Sequence, residues 1–520
     1  MTNAHRRRFA GRALALAAGA LAMAALVACG GCRREASAHR GPIVLITIDA
    51  LRADAVGAFG GPPQLTPALD ALAREATWAG TAVAPSSWTV PSMAALFTGL
   101  QPWSNQNWHG DAAMLRPELV TIPEALHARG FATAGFYSNV WLRPPFGYGA
   151  GFDELRHFRE GKRAEATLAK LGTPAAGKAG KPQFVWAHIL PPHAPYVRRD
   201  ALLDRLPQPA PSLPRRVSVV DLEPWFDPAV PLDEEQADTF RAAYQLNVAF
   251  ADQQLGRLLA ALRRSGKWDE TLLVVTSDHG EEFKECGQIE HGGNLCRALI
   301  EVPLLVKLPK AWSGPALALR RGDHPSTVRV RATLVEAAGG EAGEGTAPSL
   351  FHEERAGALS ELYLGNGTNR ISYVEDDRQL IWESRFAPPD PDYYRVHTLD
   401  IGAVPAVAPN TSSEALHARL EEAFGRALPL SGRAGTPPTL TLWQWAAPPP
   451  GSPPMTSVRV PVHDSAAIDA MGRRLKAAWI AANGAEAPPV TRSGGCPQLT
   501  PEEEAELKAL GYAATRRRDC

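Results

Sequence analysis

The chain has 520 residues, 45% of them hydrophobic, which is enough for a large core, and its length suggests roughly three domains unless one α/β domain absorbs much of it. Its 54 Lys and Arg residues balance 55 Asp and Glu, leaving a net charge of −1. With no basic stripe in the sequence, that balance argues against a nucleic-acid partner.

Residues 1–40 read as lying outside the fold. Arg6, Arg7, Arg8 and Arg12 form a basic start, and Ala13 to Ala28 is apolar. That run is shorter than the about 20 residues of a membrane span and fits a secretory signal, residues 1–28. Leu26-Val-Ala-Cys29 resembles a bacterial lipobox, with Cys29 as the lipidated first residue of the mature chain. The expectation is a lipoprotein held at the membrane by Cys29, on the periplasmic side of a bacterial cell envelope, with 29–40 as a tether carrying Cys32. Of the six cysteines, Cys286 with Cys296 and Cys496 with Cys520 could pair in an oxidising compartment, and the sequence leaves both pairings open.

Ile43 to Ile48 is an apolar run that predicts a buried parallel strand. Asp49 stands at its C-terminal end, where open α/β sheets bind ligands, so it is a candidate metal ligand. Thr66-Pro67 predicts the N-cap and first residue of a helix with Leu69, Leu72, Ala73 and Ala76 on one face. Thr81 to Ala84 reads as a strand end and Ser92 to Leu100 as a short helix. Thr89 therefore falls at a strand-to-helix turn, near free N–H groups that favour an anion. The polar loop Trp103 to Asp111 carries His109.

Thr121 to Gly130 predicts a helix and Phe131 to Phe136 a second strand. Asn139 and the Gly-rich run Phe146 to Phe152 follow as a loop over the same edge. Glu160 to Lys181 reads as a solvated surface segment. Gln183 to His188 is a third strand, and its turn holds His193 between prolines that fix the backbone. Arg198 to Pro231 reads as a Pro-rich loop and Leu232 to Arg264 as a long helix. Thr271 to Thr276 is a fourth strand that delivers Asp278, His279 and, farther on, His291; Asp and His after a buried strand suit a transition metal. Val302 to Val306 is a further strand and Val328 to Ala338 a helix.

Beyond residue 345, short antiparallel strands are expected at Ala358 to Leu364, Ile371 to Val374, Leu380 to Glu383 and Arg395 to Leu399, in a subdomain over 346–430. In 431–520, Pro437 to Pro454 shows no clear structure, Asp464 to Asn483 predicts a helix, and Thr500-Pro-Glu-Glu503 is a capping box opening a last helix.

Val44 to Asp54, the helix Thr66 to Ala73, the turn Thr89 to Gly99 and Thr276 to Glu282 together resemble the sulfatase family of the alkaline phosphatase superfamily. Pro192-His193-Ala-Pro-Tyr196 is similar to that family's recurring Pro-His-x-Pro-Tyr element. The resemblance covers residues 41 to about 340. It implies an alkaline-phosphatase-like α/β/α sandwich over 41–345, with a smaller C-terminal α+β subdomain. It also implies a divalent metal held by Asp49, Thr89, Asp278 and His279, a nucleophile at Thr89, and His193 and His291 facing the substrate or holding a second metal. His109, Asn139 and His188 are the candidates to bind substrate. Two hard oxygens and an imidazole suit zinc or manganese better than calcium.

The chain departs from the family pattern in places. Sulfatases carry Cys or Ser, converted to formylglycine, and then Pro-Ser-Arg; here Thr89 and Met93 stand at the nucleophile and arginine positions. His291 lies where many sulfatases place a lysine. These features resemble the phosphodiesterase and lipid-linked phosphotransferase branches. The expected function is metal-dependent hydrolysis of sulfuric or phosphoric esters. Transfer of a phosphoryl head group to a glycan or lipid, or a non-catalytic binding role, are the alternatives.

Overall fold

Every residue of strand β1, Ile43–Ile48, is buried, as a strand covered on both faces requires. Successive side chains alternate faces. Val44, Ile46 and Ile48 enter one core, Ile43 and Leu45 a second. The structure is a computed structural model that describes residues 38–107, 114–158, 161–172, 180–208, 213–226, 230–354, 357–363, 368–385, 439–446, 458–462 and 465–483.

The main sheet contains β1, β2 (Trp78–Val83), β3 (Ala132–Tyr137), β4 (Glu154–His157), β5 (Gln183–Ile189), β6 (Leu272–Ser277) and β7 (Glu301–Lys307). Their spatial order is β2-β7-β6-β1-β5-β3-β4. β5 and β6 flank β1 in parallel, with Ile46 opposite Ala187 on one side and Val275 on the other. β7 runs antiparallel to both β6 and β2, so β2 points the same way as β1. The C-terminal ends of β1, β2, β5 and β6 therefore share one edge.

Helices cover both faces. On one side lie α1 (Pro67–Glu75), α4 (Lys162–Ala169) and the long α5 (Glu234–Arg264), which supplies Leu255, Leu258 and Leu262. On the other lie α2 (Thr89–Thr98), α3 (Ile122–His127) and α6 (Arg329–Ala337), supplying Met93, Phe97, Leu126 and Leu334. A second, antiparallel sheet joins β8 (Ala358–Tyr363), β9 (Thr368–Glu375), β10 (Arg378–Arg385), β11 (Thr439–Ala446) and β12 (Val458–Val462) in that order. Helix α7 (Ser465–Asn483) packs on it through Met471, Leu475 and Trp479.

Several expectations change. The segment 160–181 contains α4, whose Ala164 and Leu168, one turn apart, are buried. The Pro-rich loop after Arg198 holds short elements, including Arg216–Val217, which pairs with Tyr196–Val197 ahead of the loop. The stretch Pro437 to Pro454 carries β11, and the second sheet runs across residue 430. Thr66 does not cap α1 with its side chain: its hydroxyl accepts the Gly57 N–H at 2.8 Å and donates to Asp70. The helix amides of Ala68 and Leu69 instead donate to Asp252 of α5, at 3.0 and 2.8 Å. The expected strand at 395–399, the capping box at Thr500, Cys29, Cys32, Cys496, Cys520 and His109 lie outside the described residues. Among the described residues no helix is long and apolar enough to cross a membrane.

Candidate active site

The turn after β1 is tied to the end of β6. Ala50 takes a left-handed conformation, φ 57°, and its N–H donates to Asp278 Oδ1 at 3.2 Å. The Leu51 N–H donates to Ser277 Oγ at 2.9 Å, and the Tyr244 hydroxyl donates to the Ala50 carbonyl at 2.8 Å. These bonds bring Asp49 beside Asp278 and His279, all three fully buried. One ligand atom from each lies within 4.8 Å of the others.

Hydrogen bonds decide which atoms face inward. Trp186 Nε1–H donates to Thr47 Oγ1 at 3.1 Å, and Thr47 lies 2.8 Å from His188 Nδ1. His188 Nε2–H then meets Asp49 Oδ2 at 3.1 Å, and Asn139 Nδ2 donates to the same oxygen at 2.8 Å. Asp49 Oδ1 is left to face Thr89 and His279. His279 donates its Nδ1–H to the Gly280 carbonyl at 2.8 Å, so its Nε2 lone pair points at Asp49 Oδ1, 3.4 Å away, and Asp278 Oδ2, 3.5 Å away.

Such an arrangement calls for a positive charge. Burial favours neutral carboxyls, yet His193, His188 and His279 hold Asp49 well below the usual range. Burial, then the Asp49 charge, pushes Asp278 up. Burial opposes a charged His279, but Asp278 and Asp49 raise it to about 9. Asp278 Oδ2 is buried with no hydrogen-bond partner among the described residues. A divalent cation in place of that proton would satisfy both carboxylates and the imidazole, so the residues present fit one.

Thr89 is the first residue of α2 and fully buried, and its side chain caps nothing. Thr89 Oγ1 lies 3.5 Å from Asp49 Oδ1, 3.3 Å from His279 Nε2 and 3.3 Å from Asn139 Nδ2. Asn139 thus has Nδ2 against Asp49 and Thr89, with Oδ1 accepting the Trp141 N–H. His188, expected to touch substrate, instead lies behind Asp49 with both ring nitrogens engaged.

His193 and His291 complete the cluster. The His193 ring is 4.8 Å from that of His291 and 6.4 Å from that of His279, and His291 is 4.4 Å from His279. Burial lowers both outer histidines, His291 further because of the neighbouring His279. The loop of His291 is closed by the Cys286–Cys296 disulfide, one of the two pairings left open by the sequence. Two residues that the sequence pattern does not mark as site residues, Glu281 and Tyr196, back this cluster. Glu281 is fully buried against His291, and Tyr196 bonds to Glu281.

A family model described as Sulfatase matches residues 42–339. The multifunctional alkaline phosphatase superfamily protein PehA of Trinickia caryophylli is 29% identical over 192 residues, covering 32% of this chain and 36% of that protein. Human iduronate 2-sulfatase is 24% identical over 337 residues, covering 51% and 59%. The chain thus spans less than two thirds of these curated relatives. Among solved structures, a 2-O GAG sulfatase (BT1596) aligns with a TM-score of 0.53 at 17% identity, covering 66% of this chain and 83% of that one. The fold is the α/β sandwich of solved sulfatases, and, with a family match over more than half its length, the chain belongs to the sulfatase family.

Proposed function

We propose that the chain hydrolyses phosphoric or sulfuric esters, with Thr89 as nucleophile and a divalent cation, zinc or manganese in preference to calcium, held by Asp49, Asp278 and His279. The observation that carries this is the Thr89 hydroxyl at the start of α2, 3.5 Å from Asp49 and 3.3 Å from His279. Similarity to sulfatases supports the reaction class. A bound cation would lower the pKa of the hydroxyl and polarise the ester. The chain's own contribution is placement. Asp49 Oδ1 accepts the Thr89 proton, the Asn139 N–H points at the oxygen that becomes nucleophilic, and the N-terminus of α2 favours an anion.

Attack by Thr89 leaves an ester on its oxygen. Formylglycine has a second hydroxyl on that carbon, through which the carbon–oxygen bond can break; threonine has none. The threonine ester must open at phosphorus or sulfur by in-line attack of water, a route open to a phosphothreonine. Phosphate esters, diesters among them, should therefore turn over faster than sulfate esters. The test is purified protein with zinc, manganese or calcium against paired aryl phosphate and aryl sulfate esters. A preference for sulfate with Thr89 intact by mass spectrometry overturns the nucleophile assignment.

We also propose that Cys29 carries a lipid that holds the chain at the bacterial envelope, on the strength of the basic start and Leu26-Val-Ala-Cys29. Cys29→Ser should release the protein or leave it unprocessed; unchanged mass and membrane association overturn the proposal.

A further inference from the structure

One buried pair beside the cluster lies outside the three residues proposed to hold the cation. His291 Nδ1 lies 2.9 Å from Glu281 Oε1, and the Tyr196 hydroxyl donates to Glu281 Oε2 at 2.9 Å. Glu281 is fully buried, and the His291 side chain is 6% exposed. A carboxylate only accepts hydrogen bonds, so the proton in the contact with His291 sits on Nδ1. If the carboxyl is protonated, the proton still lies between the same two atoms. In both states Nδ1 is spent, and Nε2 is the nitrogen left to exchange a proton with whatever occupies the space beside His279 and His193.

The backbone holds the ring in place. Glu290 and Gly292, on either side of His291, have φ of 73° and 76°. A left-handed glutamate is a strained residue of the kind that collects at functional sites. The Gly292 N–H donates to the Ser87 carbonyl at 2.9 Å, fastening the loop to the turn that carries Thr89. Glu282 accepts from the Gln288 N–H and from Asn294 Nδ2, at 2.5 and 2.7 Å, inside the loop that the disulfide closes.

We propose that Glu281, supported by Tyr196, is a positioning residue that fixes His291 with Nε2 toward the ester, making His291 the proton donor to the leaving oxygen. The proposal rests on the ester-cleavage reading. In the first half, with His291 protonated on both nitrogens, the bond from Thr89 Oγ1 to phosphorus or sulfur forms and the Thr89 proton passes to Asp49 Oδ1. The bond to the leaving oxygen breaks, and that oxygen takes its electron pair and a proton from His291 Nε2. In the second half, water attacks the same centre and gives a proton to Nε2. The bond to Thr89 breaks, and the proton held on Asp49 Oδ1 returns to restore the hydroxyl. The sum is ester plus water to alcohol plus acid, and the proton between Glu281 and Nδ1 stays in that contact.

The test uses the full chain with metal, on phosphate esters whose leaving groups run from nitrophenol to simple alcohols. General acid catalysis contributes about 10²- to 10⁴-fold, and most where the leaving group is poor. Glu281→Gln should lower kcat about 100-fold on alkyl esters and less than about 10-fold on nitrophenyl esters, with KM and metal content near wild type. In a His291→Asn background it should add less than about twofold, because its effect runs through His291. Tyr196→Phe should give the same pattern more weakly. Nitrogen-15 NMR of the histidines across pH should show His291 losing its Nε2 proton first, so that its neutral form is Nδ1–H in the wild type, and losing that preference in Glu281→Gln. Equal losses on all leaving groups, additivity with His291→Asn, or a neutral Nε2–H form in the wild type overturns the proposal. A wild type inactive on every ester overturns the hydrolase reading instead, and the NMR result still decides the orientation.

Discussion

Asp49, Asp278 and His279 stand at the ends of neighbouring strands β1 and β6, while His193 and His291 ride on the loops that follow β5 and β6. The first set inherits its geometry from the register of a parallel sheet, in which Ile48 lies opposite Ser277. In the second set the loop of His291 depends on cross-links: the Cys286–Cys296 disulfide, the bond from Gly292 to Ser87, and contacts from the second sheet. Arg370 donates to the Gly293 carbonyl, and Gln379 Nε2 to that of Leu295 at 2.5 Å. The Ser360 hydroxyl donates to the Ala84 carbonyl at 2.6 Å, and the Glu361 N–H to that of Pro85 at 2.8 Å, just ahead of Thr89. The lesson is a division of labour. Strand ends fix the groups that hold charge, and a separately built sheet steadies the loop of His291 and the turn ahead of Thr89.

The largest effects should come from the strand-end half. Thr89→Ala should cost at least about 10³-fold in kcat/KM with metal content retained, and Thr89→Ser should keep a measurable part. Asp278→Asn should remove metal uptake and activity together, read by metal analysis beside the assay. Full metal occupancy in Asp278→Asn would break the comparison, because the strand ends would then not be holding the cation.

Opening the loop half should do less and do it differently. The double substitution Cys286→Ser with Cys296→Ser, or reductant on the wild type, leaves the three strand-end residues untouched. A misplacement of about 1 Å can cost about 10²-fold in rate. We expect a loss of about 10- to 100-fold in kcat with metal content unchanged. Loss of metal on reduction would show that the two halves are one unit.

The same division explains what could be read from the sequence. A strand buried on both faces prints as a continuous apolar run, so Ile43–Ile48 and Leu272–Ser277 were legible, and so were the acid and histidine residues after them. The role of His188 was not, because it depends on β5 pairing so that His188 sits opposite Thr47. Glu281 and Tyr196 lie inside the family-like motifs, but nothing in one dimension says that residues 85 apart share a hydrogen bond. The alternating Thr-Leu-Thr-Leu of β11 was hidden by the prolines around it. Helix α4 was hidden by alanine and lysine, which suit a solvated segment as well as a half-buried helix.

Substitutions in the second sheet should be milder still. Ser360→Ala removes the bond to Ala84 from a fully buried hydroxyl, and Gln379→Ala the bond to Leu295. Each lost bond is worth about 1–3 kcal/mol of local order, so a several-fold fall in kcat with little change in metal content is expected. Poor leaving groups should suffer more than good ones in Gln379→Ala, since Leu295 belongs to the loop of His291. No difference between leaving groups would detach the second sheet from the function of that loop.

The smallest effect on catalysis, and a clear one on stability, is expected at Asp252 of α5, which holds the start of α1. Its carboxylate accepts the Ala68 and Leu69 amides at the start of α1, the position the sequence had assigned to Thr66. Asp252→Ala should cost on the order of 1 kcal/mol, as loss of a helix cap does, and leave kcat near wild type. Burial raises the carboxyl to about 6 from 3.8, against the lowering by the two amides. The folded chain therefore binds this proton more readily than the unfolded chain does. Between those two values stability falls as pH rises, so the contribution of the protonated group is complete below 3.8 and gone above about 6. Other carboxylates titrate in the same window, so the quantity to measure is the difference in unfolding free energy between wild type and Asp252→Asn from pH 4 to 7. That difference should shift against the wild type as pH rises, and then level off. A flat difference would show that the carboxyl is already ionised at the lower pH, with the two amides outweighing its burial.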